Sequence, residues 1–382
     1  MKTTKYLPIN WVNGLKLTSR HFIENQYSQT EALNNEAARI ITNYNYGLGD
    51  SFDSAESNLK IELAGGNSIS TVSVKLISCN AITQGGVPVF YYEGLYGDVS
   101  PCAVIPESIR QTDVSELAVI ISVDPYKLIP VGEPDPDEIP LRHPHVLPHI
   151  GLHIMPKDQI NRSFFKKNFL PVAEIRKQGN MFILNHDYIP PVQRSFYHAA
   201  IKTFTEQLDE ALKKIRDDIK LIYSRNIDDR RRNILATNTF RLCEAFQTFY
   251  NNKIFFIEQL APDLPPVFLI QAVNELANNL SSALQTFSET EKEQLLQYYY
   301  EWTDIIPSDF IMGIENVVGL VYRHTDISRS LQITSKLISL LKKMFGKMCE
   351  LEYIGMMREN IVVGDESQIA DSPIETKTWS FM

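Results

Sequence analysis

The chain has 382 residues, of which 44% are hydrophobic and 22% charged, a composition ordinary for a globular protein of two or three domains. Its net charge of −9 argues against a nucleic acid or an anionic membrane as partner, because either would require a basic face. No signal peptide and no bilayer-length apolar run is present, so we expect no membrane insertion. Four scattered cysteines without close pairs indicate reduced thiols in a cytoplasmic protein.

The N-terminal stretch combines an extended arm with an amphipathic helix. Trp11 lies in the arm before Gly14, and Thr18 offers a hydroxyl as helix N-cap. From residue 20 to 43 apolar residues recur every three or four positions, which predicts a helix. They are Phe22, Ile23, Tyr27, Ala32 or Leu33, Ala37 and Ile40. We expect His21 to cap this helix rather than to act as a base, and Trp11 to anchor the arm against a partner.

Residues 45–190 consist of short strand-like runs separated by turn signals. The run from Ile69 to Ile77 alternates apolar and polar residues, which predicts a half-buried strand. The run from Leu117 to Val123 is apolar throughout, which predicts a strand covered on both faces. Gly85 and Gly86 supply the positive φ angles of a hairpin turn. This pattern indicates an antiparallel β-sandwich or barrel, with the first helix packed on its side.

Residues 130–157 are rich in proline. Because proline lacks the N–H group and fixes φ, we expect an exposed loop here, neither a helix nor a central strand. Four histidines in this segment also indicate a zinc site as an alternative: His143, His145, His149 and His153. The loop interpretation is favoured, because the prolines prevent the helix that would align His149 with His153 and no cysteine lies nearby.

After residue 191 the periodicity becomes helical. Apolar stripes predict helices near residues 201–222, 235–256 and 269–287, and further helices near 295–302, 310–321 and 331–348. The third stripe alternates spacings of four and three, which is the seam of packed helices within one chain or between chains. Its residues are Leu269, Val273, Leu276, Leu280, Ala283 and Phe287.

Motifs that carry catalysis are missing from the sequence. It has no glycine-rich nucleotide-binding motif, no Gly-x-Ser-x-Gly elbow and no cysteine in a nucleophile motif. We therefore expect no enzyme activity and no cofactor. A metal-dependent hydrolase built on the histidines of residues 143–153 is the less favoured alternative.

Two stretches resemble the TssK family of type VI secretion baseplate proteins. The first comprises Trp11, Gly14, Leu17, His21 and Phe22, although Ser19 and Arg20 stand where the family has Pro-Gln. The second runs from Leu170 to Ile175, through a turn at Gly179, to the segment Tyr188–Pro191. Order and spacing agree with the family across roughly residues 8–220, whereas each motif alone is weak.

The sequence pattern and the resemblance together predict an α+β fold with three parts. An N-terminal antiparallel β-sandwich, the shell domain with its leading amphipathic helix, would span residues 1–192. A helical bundle would follow over residues 193–355, and a short tail over 356–382. The implied function is that of a structural adaptor that links the baseplate wedge to the membrane-associated complex. A phage-tail-like receptor-binding adaptor is the alternative with the same architecture.

The resemblance also implies partners. It predicts a homotrimer that binds TssF-like and TssG-like wedge proteins, in the cytoplasm at the inner face of the bacterial envelope. The wedge contacts would be Trp11, Gly14, Leu17, His21 and Phe22. The family's longer members end in a head that meets the membrane complex, but only about thirty residues follow Met348 here, too few for a core of their own. We therefore expect this head to be missing or reduced, and Trp379 and Phe381 to dock on the membrane-associated complex or on an adaptor to it.

Overall fold

The structure is a computed structural model that describes residues 5–51, 57–65, 72–110, 114–160, 168–179, 181–226 and 233–356. Within these ranges the strands all precede residue 185, and the long helices, apart from the first, all follow residue 198. The predicted α+β class is therefore confirmed. No helix in the described ranges has both the length and the apolar character needed to cross a membrane.

The first sheet is built around one long strand. Helix α1 (Ser19–Ile40) precedes β1 (Gly47–Leu48), β2 (Leu59–Ala64), β3 (Ser73–Ile82), β4 (Pro88–Tyr92) and β5 (Cys102–Val104). The other four strands all pair with β3 in antiparallel fashion. Burial alternates along most of β3, with Val74 and Leu76 fully buried, as the alternating sequence predicts. Gly86, with φ +82°, lies in the β3–β4 hairpin connection.

The second sheet follows the short helix α2 (Glu107–Arg110). It contains β6 (Glu116–Val131), β7 (His145–Pro156), β8 (Phe169–Gln178) and β9 (Met181–Leu184), in the antiparallel order β7-β6-β8-β9. Leu117 to Ile121 of β6 are all buried, because this strand is covered on both faces. The apolar run in the sequence predicts this arrangement correctly.

Residues 130–157 contain more strand than the sequence predicts. β6 continues to Val131 and β7 begins at His145, so the connecting loop covers only residues 132–144. The pairing of β6 with β7 is irregular between Asp124 and Leu128, and Pro125 falls in that irregularity. β7 lies at the sheet edge, where a proline removes no hydrogen bond to a further strand. The predicted loop is therefore wrong for residues 130–131 and 145–156.

The described part of the helical region has six long helices in the order the periodicity predicts. They are α3 (Ala199–Arg225), α4 (Ile234–Phe255), α5 (Val267–Gln285), α6 (Glu289–Thr303), α7 (Pro307–Val318) and α8 (Ile327–Glu350). A capping box opens α6: the Ser288 N–H donates to Glu291 Oε2 at 2.9 Å, and the Glu291 N–H donates to Ser288 Oγ at 3.3 Å. Buried residues of both sheets and of the helices belong to one continuous core.

The α7–α8 connection is hydrogen-bonded to the shell domain. Nε2 of His324 lies 2.9 Å from the carbonyl oxygen of Tyr46, and Nδ1 lies 2.8 Å from the Tyr322 hydroxyl. Because a carbonyl oxygen can only accept, Nε2 carries a proton. Burial lowers the pKa of His324 to about 4. Ser328 adds a second link, since its Oγ donates to the Asp187 carbonyl at 2.6 Å.

Candidate partner interface

The N-terminal arm folds back along α1 and forms with it an arm–helix unit, residues 5–40. The backbone N–H groups of Lys5 and Tyr6 donate to the Glu31 carboxylate at 2.9 and 2.7 Å. Further along the arm, the Trp11 ring lies 6.4 Å from the rings of both His21 and Phe22. The arm is therefore antiparallel to the helix, beginning at its middle and ending near its N-terminus.

The start of α1 is capped as predicted. Thr18 is the N-cap, its backbone N–H donates to Nδ1 of His21 at 3.3 Å, and the His21 N–H bonds the Thr18 carbonyl at 3.1 Å. Arg20 pairs with Glu24 at 2.7 Å on the exposed face. His21 thus has a structural role at the helix entrance, which agrees with the capping interpretation.

An aromatic cluster holds the arm–helix unit against the second sheet. The rings of Tyr6 and Tyr27 lie 5.0 Å apart, and they lie 4.6 and 5.5 Å from the ring of Tyr126 in β6. The Lys5 ammonium lies over the Tyr126 ring at 5.6 Å. The Tyr6 hydroxyl beside this ammonium raises the pKa of Lys5. Sequence reasoning misses this cluster, because nothing in the sequence pairs Tyr126 with residues about a hundred positions earlier.

The C-terminal half of α1 rests on the β3–β4 turn. A Cβ atom at Gly86 would lie 2.7 Å from the Asn34 carbonyl oxygen and 2.8 Å from the Ala38 nitrogen. Only glycine allows so close an approach at this positive φ. The turn therefore fixes the distance between α1 and the first sheet.

Much of the apolar surface of the arm–helix unit faces solvent. No residue of α1 is buried, although the helix is amphipathic. The exposed fraction is 50% for Trp11, 57% for Leu17 and 59% for Phe22. Ile23, Leu33 and Ile40 are also exposed. Exposed apolar surface of this kind, left uncovered by the described residues, is typical of protein-interaction sites.

The five residues predicted to contact a partner lie at one end of this unit. Trp11 and Phe22 contact each other, His21 caps the helix between them, and Gly14 makes the turn with φ +85°. A Cβ atom at Gly14 would meet nothing within 4 Å, so the turn is open to solvent. We call this end, residues 11–23, the tip.

The other predicted site residues lie elsewhere. Leu269, Val273, Leu276 and Leu280 are fully buried, and Phe287 is 6% exposed. They form the core of the bundle inside one chain and are not available for contact between chains. Trp379 and Phe381 lie outside the described residues.

The histidines of residues 143–153 do not form one site. His143 Nδ1 lies 2.7 Å from the Gly132 carbonyl in the loop, whereas His153 Nε2 lies 2.7 Å from Ser122 Oγ on β6. Burial and the neighbouring His149 lower the pKa of His153. No described carboxylate bonds the other ring nitrogen of His153, so the Ser–His pair lacks the third group of a hydrolytic triad. Among the described residues no three His, Cys, Asp or Glu side chains converge on a metal position.

A cavity of about 850 Å³ opens between the second sheet and the α7–α8 connection. Its charged lining residues are two cations, Lys157 and Arg323, and two anions, Glu174 and Asp326. Lys157 Nζ and Glu174 Oε1 already pair at 2.5 Å. This balanced lining selects no ligand class.

Among the comparisons with known proteins, only the one with solved structures found similar proteins. No protein-family model matches the sequence, and no curated protein matches it. A crystal structure of TssK superposes with a TM-score of 0.53 and 15% identity, covering 89% of this chain and 70% of that one. The TssK–TssF–TssG baseplate subcomplex of type VI secretion contains a chain with a TM-score of 0.51 and 13% identity, covering 90% of this chain and 99% of that one.

A further baseplate complex from the type VI secretion system gives the same TM-score of 0.51 at 13% identity. At such identities the likeness establishes the architecture of the chain. About nine-tenths of the chain superposes in these comparisons. The chain has the fold of TssK.

Proposed function

We propose that this chain is a structural subunit of a type VI secretion baseplate and that it binds TssF-like and TssG-like wedge proteins. The observation that carries the proposal is the likeness to the TssK chain of the TssK–TssF–TssG subcomplex, which covers 90% of this chain and 99% of that one. Agreement over the whole length favours the same assembly role over a domain reused for another task.

The tip of the arm–helix unit is the proposed wedge-binding surface. Its apolar side chains are exposed in the single chain, and large aromatics of this kind dominate binding energy at interfaces. If a partner covered Trp11, Leu17 and Phe22, the burial of their apolar surface would favour binding by roughly 25 cal/mol per Å². The arm–helix unit that carries the tip is held by its own chain through Glu31 and the tyrosine cluster, which lowers the conformational entropy that binding must remove.

A structural role without catalysis fits the polar groups described above. The Ser122–His153 pair lacks an orienting carboxylate among the described residues, and the TssK neighbours are baseplate proteins. The phage-tail-like adaptor remains the alternative with the same architecture. Genomic neighbours encoding sheath and tube proteins without a capsid would favour secretion.

The assembly is proposed to be a homotrimer in the cytoplasm at the inner face of the envelope. Its contacts must use surfaces other than the α5 seam, because Val273 and Leu280 are buried within one chain. Trp379 and Phe381 are proposed to dock on the membrane-associated complex or on an adaptor to it. Native mass spectrometry at micromolar concentration tests the trimer, and a monomer alone would contradict it.

Coexpression with the wedge subunits encoded beside this chain tests the proposed function. Tagged wild-type chain is expected to retain both wedge proteins, and Trp11→Ala to retain at least about tenfold less, because truncating a central aromatic costs ~2 kcal/mol or more. Phe255→Ala is the matched control, since it removes an aromatic that is 66% exposed at the end of α4. Failure of the wild-type chain to retain any wedge protein would overturn the proposal.

A further inference from the structure

Residues 7–12 of the arm have backbone groups that form no hydrogen bond with the described part of the chain. The Val12 carbonyl accepts from the Leu15 N–H, and no other backbone group of this segment bonds a described residue. The segment belongs to neither a helix nor a strand. It is nevertheless held at both ends, by Glu31 at Tyr6 and by Phe22 at Trp11. A fixed segment with free backbone groups is prepared for intermolecular hydrogen bonding.

The side chains of this segment alternate as in a β-strand. Leu7, Ile9 and Trp11 are apolar, whereas Pro8 and Asn10 lie between them. Leu7 is 70% exposed and Trp11 is 50% exposed, whereas Ile9 between them is partly buried, so both ends of this potential strand face are uncovered. Pro8 restricts its own φ and biases Leu7 towards extended backbone. The sequence of the arm therefore favours a strand with one apolar face, but no described strand of its own chain lies beside it.

The position of the proline selects one edge of this strand. In an extended chain the N–H and C=O groups of alternate residues point to the same edge. Pro8 interrupts the edge formed by even-numbered residues, because it has no N–H group. The edge formed by Leu7, Ile9 and Trp11 keeps all its donors and acceptors.

We propose that residues 7–11 add as a β-strand to an exposed sheet edge of a wedge protein, through the backbone groups of Leu7, Ile9 and Trp11. This inference rests on the proposed function, since it specifies how the same arm recognises its partner. In strand addition the backbone bonds supply affinity and the alternate side chains supply specificity. Here Leu7, Ile9 and Trp11 fill apolar pockets on one face of the extended sheet.

A second copy of this chain is a poorer acceptor for the arm. β2 exposes the charged residues Lys60 and Glu62, and β7 carries Pro148, both features that protect an edge against added strands. β4 begins with a proline, and β9 is four residues long. The remaining described edges are short, since β1 has two residues and β5 has three. The described edges of this chain therefore suit the arm poorly, which favours a wedge protein as the acceptor.

Proline substitutions in the full-length chain test the proposal, with the coexpressed wedge subunits as the probe. Ile9→Pro removes an N–H group from the pairing edge, whereas Asn10→Pro places the same ring on the opposite edge. Ile9→Ala accounts for the loss of the side chain. We expect Ile9→Pro to retain at least about tenfold less wedge protein than Ile9→Ala, which is the effect of ~1.4 kcal/mol. Asn10→Pro is expected to remain within about twofold of the wild-type chain.

Amide hydrogen exchange of the complex gives a second readout. The Leu7, Ile9 and Trp11 amides should exchange at least about tenfold more slowly in the complex, and the Asn10 amide should be unaffected. Equal wedge binding by Ile9→Pro and Asn10→Pro would overturn strand addition. If Trp11→Ala still retains less wedge protein in that case, the proposed function stands without strand addition. Loss of the oligomer by Ile9→Pro, with wedge binding kept, would overturn the choice of partner and identify a second copy as the acceptor.

Discussion

The hydroxyl of Tyr27 donates a hydrogen bond of 3.1 Å to the carbonyl oxygen of Tyr126, which joins α1 to β6 across 99 residues of sequence. Tyr6 completes the contact from the arm, with its ring 4.6 Å from that of Tyr126. This cluster fixes the middle of the arm–helix unit on the shell, while the apolar residues of the tip remain exposed.

Replacing Tyr27 should release the arm–helix unit. Tyr27→Ala removes the hydrogen bond and both ring contacts, so we expect exchange of the α1 amides to accelerate by at least about tenfold. Tyr27→Phe keeps the rings and loses the hydrogen bond alone, at a cost of about 1 kcal/mol. Amide hydrogen exchange measured on both variants checks this order. Unchanged exchange in Tyr27→Ala would show that α1 is held by other contacts.

Gly86 should be irreplaceable as the support of α1. An added Cβ would approach Asn34 and Ala38 backbone atoms to below 3 Å, so Gly86→Ala must displace the helix or the turn. We expect a loss of at least about 2 kcal/mol in the free energy of unfolding, from backbone strain and this clash together. Gly94→Ala is the matched control, because its φ of +89° is similar but its Cβ would meet nothing within 4 Å. Equal losses in urea unfolding would contradict the role of α1 packing.

The buried His324 predicts a pH dependence of stability. Its pKa is about 4 in the folded chain against an ordinary value of 6.5, so the unfolded chain takes up the proton first as pH falls. The contribution of His324 to the free energy of unfolding is therefore fully present above pH 6.5. It declines between pH 6.5 and 4, by about 3 kcal/mol in all. Urea unfolding at pH 7.5 and 4.5 measures the change.

His324→Gln provides the comparison for this pH dependence. Glutamine retains a donor for the Tyr46 carbonyl but does not titrate, so the variant should lose most of the decline between pH 6.5 and 4. The free energy of unfolding at pH 7.5 should fall modestly, because glutamine does not fill the space of the imidazole between Tyr46 and Tyr322 as well as histidine does. A decline as steep as in the wild-type chain would assign the pH dependence to other groups.

An aspartate in the α5 seam should unfold the helical region. Val273 is fully buried within the chain, and an unpaired carboxylate there costs several kcal/mol. We expect Val273→Asp to lose helical circular dichroism or to become insoluble at any protein concentration. Ser282→Asp places the same charge at an exposed position of α5 and should be tolerated. A folded Val273→Asp monomer would contradict the buried position of this seam.

The sequence predicts the elements of this fold well, because their signals are local. The periodicity locates α3 to α8, and the Ser288–Glu291 capping box marks the start of α6. The alternation in β3 and the apolar run in β6 predict their burial correctly. The failure at β7 has a local cause too: prolines exclude a central strand, but they do not reveal that the strand lies at an edge.

What the sequence by itself determined is the class of each segment and the apolar side of each helix, since a period of 3.6 or 2 depends on neighbouring residues alone. The tertiary structure decided which apolar sides are covered. The stripes of α1 and α5 look alike in sequence, yet Val273 is buried and Phe22 is exposed. The tertiary structure also brought together Tyr27 and Tyr126, which are 99 positions apart, and His324 and Tyr46, which are 278 positions apart. Such contacts depend on how the sheets and helices pack, and no local pattern records that packing.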